Sequence, residues 1–131
     1  SIFRTAYALG VGGVVICLSN LSQKAIESIA RLSSGAFLHM PYGVFPHIFD
    51  IINELKNADF MLIGADMQGQ ESCNVKKKWA LFLGSESEGL SARLKHKLDT
   101  ILSIKMEHHF DSLNVAVATG ILIDRIKNAR K

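Results

Sequence analysis

Two blocks in the last third of the chain carry residue types that can do chemistry. Leu81-Phe-Leu-Gly-Ser-Glu-Ser-Glu-Gly-Leu90 is the first, and Ile104-Lys-Met-Glu-His-His-Phe-Asp-Ser-Leu-Asn-Val-Ala-Val-Ala-Thr-Gly120 is the second. Each is an apolar run that passes into a Gly- and carboxylate-bearing stretch. Two such loops at neighbouring strand ends can build a backbone-lined pocket for a small ligand. Gly84 and Gly89 let the main chain approach that ligand closely. A serine nucleophile elbow does not fit here. It would need Gly at position 85 if Ser87 were the nucleophile, and Ser85 stands there. Glu107, His108, His109 and Asp111 crowd together, but adjacent histidines on an extended segment point to opposite sides. No third ligand at useful spacing joins them, so no metal is expected. Gly10-Val-Gly-Gly13 resembles the opening of a dinucleotide fingerprint in the wrong order, helix first and strand second. A tight helix-to-strand turn is the better reading.

The elements that must position these loops follow from periodicity. Ser1 to Leu9 reads as the tail of a helix with Gly10 at its C′ position. Val14 to Leu18 is a continuous apolar run that suits a buried parallel strand. Ser22 reads as an N-cap before a stripe of Ala25, Ile26, Ile29, Ala30 and Leu32. Ala36 to Met40 reads as a short strand. Phe45, Ile48, Phe49, Ile52 and Leu55 predict a helix over 45–56, with Pro46 in its first turn. Phe60 to Ile63, Ala80 to Leu83 and Ile101 to Ile104 are further strands. Ser91 caps a short helix that runs to Leu98, and a terminal helix spans Leu113 to about Ala129. The alternation predicts an α/β fold, a parallel sheet with helices on both faces. Ligands bind beyond the carboxyl ends of such strands, where loops 64–78, 84–90 and 105–112 would lie. The terminal helix is apolar around most of its girth, so it has more than one face to bury.

A chain of 131 residues with 48% apolar and 21% charged residues is a single domain with enough apolar material for a core. A net charge of +3 permits an RNA partner without demanding one. Lys76-Lys-Lys78 and Arg93-Leu-Lys-His-Lys97 are the densest basic runs, solvated faces by default and phosphate contacts if RNA is the substrate. Trp79 reads as a core strand residue. Cys17 and Cys73 lack metal-site spacing and read as free thiols of a reducing, cytoplasmic compartment. No apolar run is long enough to span a membrane.

The two blocks, in this order, resemble the second and third motifs of the SpoU/TrmH branch of the SPOUT RNA methyltransferases. Ser1-Ile-Phe-Arg-Thr-Ala6 looks like the end of that family's first motif, with Arg4 as its arginine. The resemblance covers nearly the whole chain. It implies a C-terminal trefoil knot, a homodimer, S-adenosyl-L-methionine as cofactor and a ribose 2′-hydroxyl of tRNA or rRNA as acceptor. It also implies that the chain opens inside a helix, without the first strand and the asparagine that begins the first motif. Cofactor-binding positions carried over are Gly64, Ala65, Leu83, Gly84, Glu86, Gly89, Ile104, Met106, Ser112, Leu113 and Asn114. Arg4, Glu86, Ser112 and Asn114 would face the reacting groups. Arg4 would bind the target phosphate and align the hydroxyl, since a guanidinium with a pKa above ~12 is a poor base. Lys105, His108 and Ala116 depart from the usual Pro, Gly and Ser. Two other readings stay open: a non-catalytic RNA-binding relative, and a flavodoxin-like small-ligand protein.

Overall fold

The computed structural model describes residues 5–6, 8–12, 14–17, 42–45, 47–75, 78–84, 90–107 and 113–129. Its elements are β1 (Val14–Cys17), β2 (Tyr42–Phe45), α1 (Ile48–Asn57), β3 (Met61–Gln70), β4 (Trp79–Leu83), α2 (Ala92–Lys97), β5 (Thr100–Leu102) and α3 (Val115–Ala129). Every strand pair is parallel. Among the described residues the strands form a β1–β2 pair and a three-stranded sheet in the order β4-β3-β5, in line with the parallel sheet that the sequence pattern predicts.

The three-stranded sheet sorts its side chains by the two-residue period of a strand. Leu62 and Phe82 point to one face, where they pack with Ile52 of α1, Leu94 of α2 and Leu90. Ile63 and Leu102 point to the other, where Leu122 and Ile126 of α3 and Val75 cover them. Helices therefore cover both faces, as the apolar pattern predicts. Ile52, Leu62, Ile63, Leu102, Leu122 and Ile126 are the largest fully buried side chains. Each contributes about 1.5–3 kcal/mol over an exposed position.

Local signals account for several boundaries. Ser91 is the N-cap of α2, its hydroxyl accepting from Leu94 N–H at 3.2 Å. Thr5, Ala6 and Ala8 are helical, and the turn ends at Gly10 with φ of 78°. Val11 N–H reaches back to Ala6 O, the six-to-one bond of a left-handed helix stop. The end of α1 is built likewise. Asp59 has φ of 63° and Phe60 N–H bonds Leu55 O. Trp79 lies in β4 and packs into the α3-side cluster, as expected.

Three boundaries differ. Phe45 ends β2 instead of opening a helix, and α1 begins at Ile48 behind His47. Phe45 shares the four-residue apolar rhythm of Phe49 and so imitates a helical position. The strand ending at Ile63 in the sequence reading continues to Gln70. Its polar tail resembles a loop, yet its backbone pairs with β5. The strand near Ile101 stops at Leu102, and Ser103 and Ile104 lie beyond it. The expected strand over 36–40 and helix behind Ser22 lie outside the described residues.

Candidate functional site

The register gathers the carboxyl ends of β4 and β5 beside Ala65, in the middle of β3. Ala65 stands opposite Leu83 on one side and opposite Leu102 on the other. Gly84 follows Leu83, and Ile104 and Met106 follow Leu102 closely in the chain. The sheet thus brings Gly64, Ala65, Leu83, Gly84, Ile104 and Met106 to one edge, where parallel α/β sheets bind ligands. Gly84, Ile104 and Met106 are half-buried. Among the described residues, no hydrogen bond of the kind that secures the neighbouring turns engages their backbone groups. Half-buried main-chain donors and acceptors outside the turn hydrogen bonds of the described residues suit a small ligand with polar edges.

After Ala65, β3 leaves its partner and returns. Ala65 and Gln70 both face Leu102, so residues 66–69 form an excursion from the sheet. Asp66 sits at its start. Gln68 N–H donates to Asp66 Oδ1 at 3.2 Å, and Lys95 Nζ lies 3.2 Å from Oδ2. Partial burial pushes this carboxyl up, but the hydrogen bonds from Gln68 and Leu90 N–H and the Lys95 ammonium outweigh it and hold the carboxyl below its ordinary value. Met67, at 65% exposed, lies at the tip.

Gly64 owes its identity to packing. A Cβ there would come within 2.6 Å of Leu98 Cδ1 and 2.8 Å of both Ile101 Cδ1 and Leu90 Cδ1. Those atoms belong to the cluster under α1 and α2, so the missing side chain faces the core.

Leu113 and Asn114 precede α3 and are exposed. Asn114 stands in the N-cap position. Its Oδ1 accepts from Ala116 N–H at 2.8 Å, and its carbonyl accepts from Ala118 N–H at 2.9 Å. The oxygen is committed to the helix, which leaves the amide NH2 to reach outward. Arg4, Glu86, Gly89, Ser112 and His108 lie outside the described residues, as do Lys76 and Lys77.

The basic run on α2 is partly engaged within the protein. Arg93 sits 4.3 Å from the Phe49 ring centre and Lys95 faces Asp66, while His96 and Lys97 are exposed. Lys78 lies 4.9 Å from the Phe60 ring centre. A recess lined by Ala8, Leu9, Gly10, Asp124, Lys127 and Asn128 contains none of the expected site residues. Among the described residues no group of three metal-ligating side chains gathers, and no helix is long and apolar enough to cross a membrane.

The sequence reading misses Arg125 and Ser103. Arg125 Nη1 donates to Glu71 O at 2.8 Å and to Ser103 O at 3.1 Å, which ties α3 to the far ends of β3 and β5. Its only signal in the sequence is a cation in a mostly apolar helix.

Against known proteins, a profile described as the SpoU rRNA Methylase family matches residues 1–124. The chain belongs to the SpoU methylase family. A protein of Borreliella burgdorferi named "Uncharacterized tRNA/rRNA methyltransferase" is 37% identical over 130 residues, which cover 97% of this chain and 57% of that protein. The solved structure of the SpoU methyltransferase AviRb from Streptomyces viridochromogenes, in complex with AdoMet, superposes with a TM-score of 0.86 at 23% identity. It covers 98% of this chain and 51% of AviRb. The TrmH/SpoU tRNA modifying enzyme of A. aeolicus gives a TM-score of 0.77 at 27% identity, over 98% of this chain and 66% of the enzyme. The SpoU fold is thus that of the present chain, which spans about half the length of the curated relatives it matches.

Proposed function

We propose that the chain forms the catalytic domain of an S-adenosyl-L-methionine-dependent methyltransferase that acts on a ribose 2′-hydroxyl of tRNA or rRNA. The observation that carries the reading is the row Leu83–Ala65–Leu102, which puts the stretches that follow β4 and β5 on either side of Ala65 in a SpoU-family chain. The solved AviRb relative holds AdoMet, and another solved neighbour is named an RNA 2′-O ribose methyltransferase.

When bound, S-adenosyl-L-methionine supplies an electrophilic methyl group on a sulfonium. The residues of the chain then have three tasks. Backbone groups of Gly64, Ala65, Leu83, Gly84, Gly89, Ile104, Met106 and Leu113 hold the cofactor and exclude water from it. Glu86, Ser112 and the outward amide of Asn114 orient the cofactor loop and the ribose. Arg4 binds the target phosphate and aligns the hydroxyl, whose proton must leave as the oxygen takes the methyl group.

Leu113, Val117 and Ile121 recur every four residues and are exposed, with Val117 at 53%. They form an apolar stripe opposite the buried Leu122, Ile123 and Ile126. This stripe supports a homodimer through α3. Light scattering should give twice the chain mass at micromolar concentration, and Val117→Lys should return it to one chain.

Titration calorimetry tests the site. Saturable binding of S-adenosyl-L-methionine is expected, and no heat or thermal shift at millimolar ligand would end the reading. Asn114→Asp keeps the capping oxygen but loses the outward donor, so it should weaken cofactor binding with little loss of helix stability. Arg4→Ala should leave cofactor affinity within about twofold and cut methyl transfer by roughly a hundredfold, the scale of a lost positioning or proton-transfer group.

A further inference from the structure

Two strand ends share one donor atom. Arg125 Nη1 gives its hydrogen bonds to Glu71 O and Ser103 O. Glu71 follows Gln70, where the excursion that begins after Ala65 returns to β5. Ser103 immediately precedes Ile104. Ser103 completes the junction from its own side. Its N–H donates to Gln70 O at 2.8 Å and its hydroxyl donates to Gly69 O at 3.1 Å. Ser103 is buried, and Gly69 presses so close to β5 that a Cβ would lie 2.7 Å from Ile101 O. Four hydrogen bonds therefore fasten residues 69–71 to the exit of β5, and two of them come from α3.

We propose that Arg125 is a positioning residue, which fixes the exit of β3 against the exit of β5 and so pre-sets the spacing of the cofactor-binding edge. This rests on the reading of that edge as the S-adenosyl-L-methionine site. Arg125 does not touch reacting atoms in this scheme. Leu122, one turn before it, and Ile126, the next residue, anchor its helix in the core. The guanidinium passes that fixed placement to two main-chain carbonyls on separate loops. A guanidinium stays charged and presents a rigid set of donors, so one side chain can hold two acceptors in a set geometry. A ligand gripped by backbone groups on both sides gains affinity when those groups are already spaced for it.

Three variants of the protein test the proposal, each read by calorimetric titration with S-adenosyl-L-methionine and by amide hydrogen exchange well below the melting temperature. Arg125→Ala should raise the Kd about tenfold, the order expected when a charged partner shared by two carbonyls is lost. It should also speed exchange at the Ser103 amide while the Ile63 amide in the same sheet keeps its rate. Arg125→Lys retains a cation without the rigid donor set, so its Kd should fall between those of Arg125→Ala and the unaltered protein. Ser103→Ala removes only the bond to Gly69 O and should shift both readouts in the same direction by a smaller amount, which keeps the test open if Arg125→Ala does not fold. Normal binding by the unaltered protein with an unchanged Kd in Arg125→Ala would overturn the inference alone. So would exchange that rises equally at Ile63 and Ser103, because that marks a general loss of stability. Absence of binding by the unaltered protein would remove the cofactor reading and this inference with it.

Discussion

Gly64→Ala puts a methyl group where three side chains already meet. Carbon atoms in contact sit about 3.5–4.0 Å apart. The new Cβ would lie 2.6 Å from Leu98 Cδ1 and 2.8 Å from the Cδ1 atoms of Ile101 and Leu90, so each must retreat by roughly 1 Å. Leu98 and Ile101 are half-buried and can yield toward solvent, but Leu90 is buried and cannot. Overpacking of this kind costs about 1–3 kcal/mol, and the upper half of that range applies when one neighbour is fixed. The reduced freedom of the unfolded chain returns about 0.4–1 kcal/mol. A net loss of about 1–2.6 kcal/mol remains, which lowers the Tm of a domain this size by about 4–9 °C. Thermal and urea unfolding of Gly64→Ala, Leu98→Ala and the double variant form the assay. Removing the Leu98 side chain should shrink the Gly64→Ala penalty by about 1 kcal/mol, a coupling that only contact explains. A Gly64→Ala protein as stable as its parent, or a double variant with purely additive losses, would refute the packing argument. Cofactor affinity lost without any loss of stability would assign Gly64 to ligand approach instead.

Asp99 Oδ2 accepts the N–H of Leu62 at 2.7 Å, and Leu62 is fully buried. Asp99→Ala leaves that donor unpaired and should cost about 1–3 kcal/mol in urea unfolding. Ser91→Ala removes the α2 cap and should cost about 1 kcal/mol by the same measurement, with Ser91→Thr nearly neutral. Asp66 is a pH probe. Its folded carboxyl titrates below the ordinary 3.8, so its contribution is present above that value and disappears as pH falls through the lower folded value. Asp66→Asn should therefore melt below its parent at neutral pH and converge with it in strong acid, and a gap that persists there would contradict the charge argument.

The strongest local signals are legible in the sequence. Ser91 announces α2, Gly10 announces the end of the opening turn, and Ala80 to Leu83 mark β4. The same pattern implies parallel strands covered on both faces, because the apolar strings are too continuous for strands with a wet side. The continuation of β3 is not legible. Asp66, Gln68, Gly69 and Gln70 have loop composition, and the backbone of Ser103 is what captures that strand's end. Phe45 misleads because one residue fits two periods. At the candidate site, the residues that gather at the strand ends can be named from their motifs. The family resemblance counts Gly64 among the cofactor-binding positions, whereas its Cβ direction points to Leu90, Leu98 and Ile101. Arg125 is invisible because its carbonyl partners lie 22 and 54 residues away in sequence, and a carbonyl has no sequence signature.

Two contacts join distant parts of the chain in a way that bears on its synthesis. Thr5 lies against Gly120, and Lys127 Nζ donates to Leu9 O across 118 residues. A ribosome adds about 5–20 residues per second, so the opening turn waits roughly 6–24 s for the helix that will receive it. The centre of the sheet is less exposed to this delay. Strand β3 meets β4 as soon as Leu83 has emerged, and β5 follows about 20 residues later. Ala6, buried in the finished molecule, must spend the interval without its final neighbours. Nascent chains halted before Gly120 should accordingly hold a paired β3–β4 unit while the segment around Thr5 remains open to protease, a window in which a chaperone would find its target around Ala6.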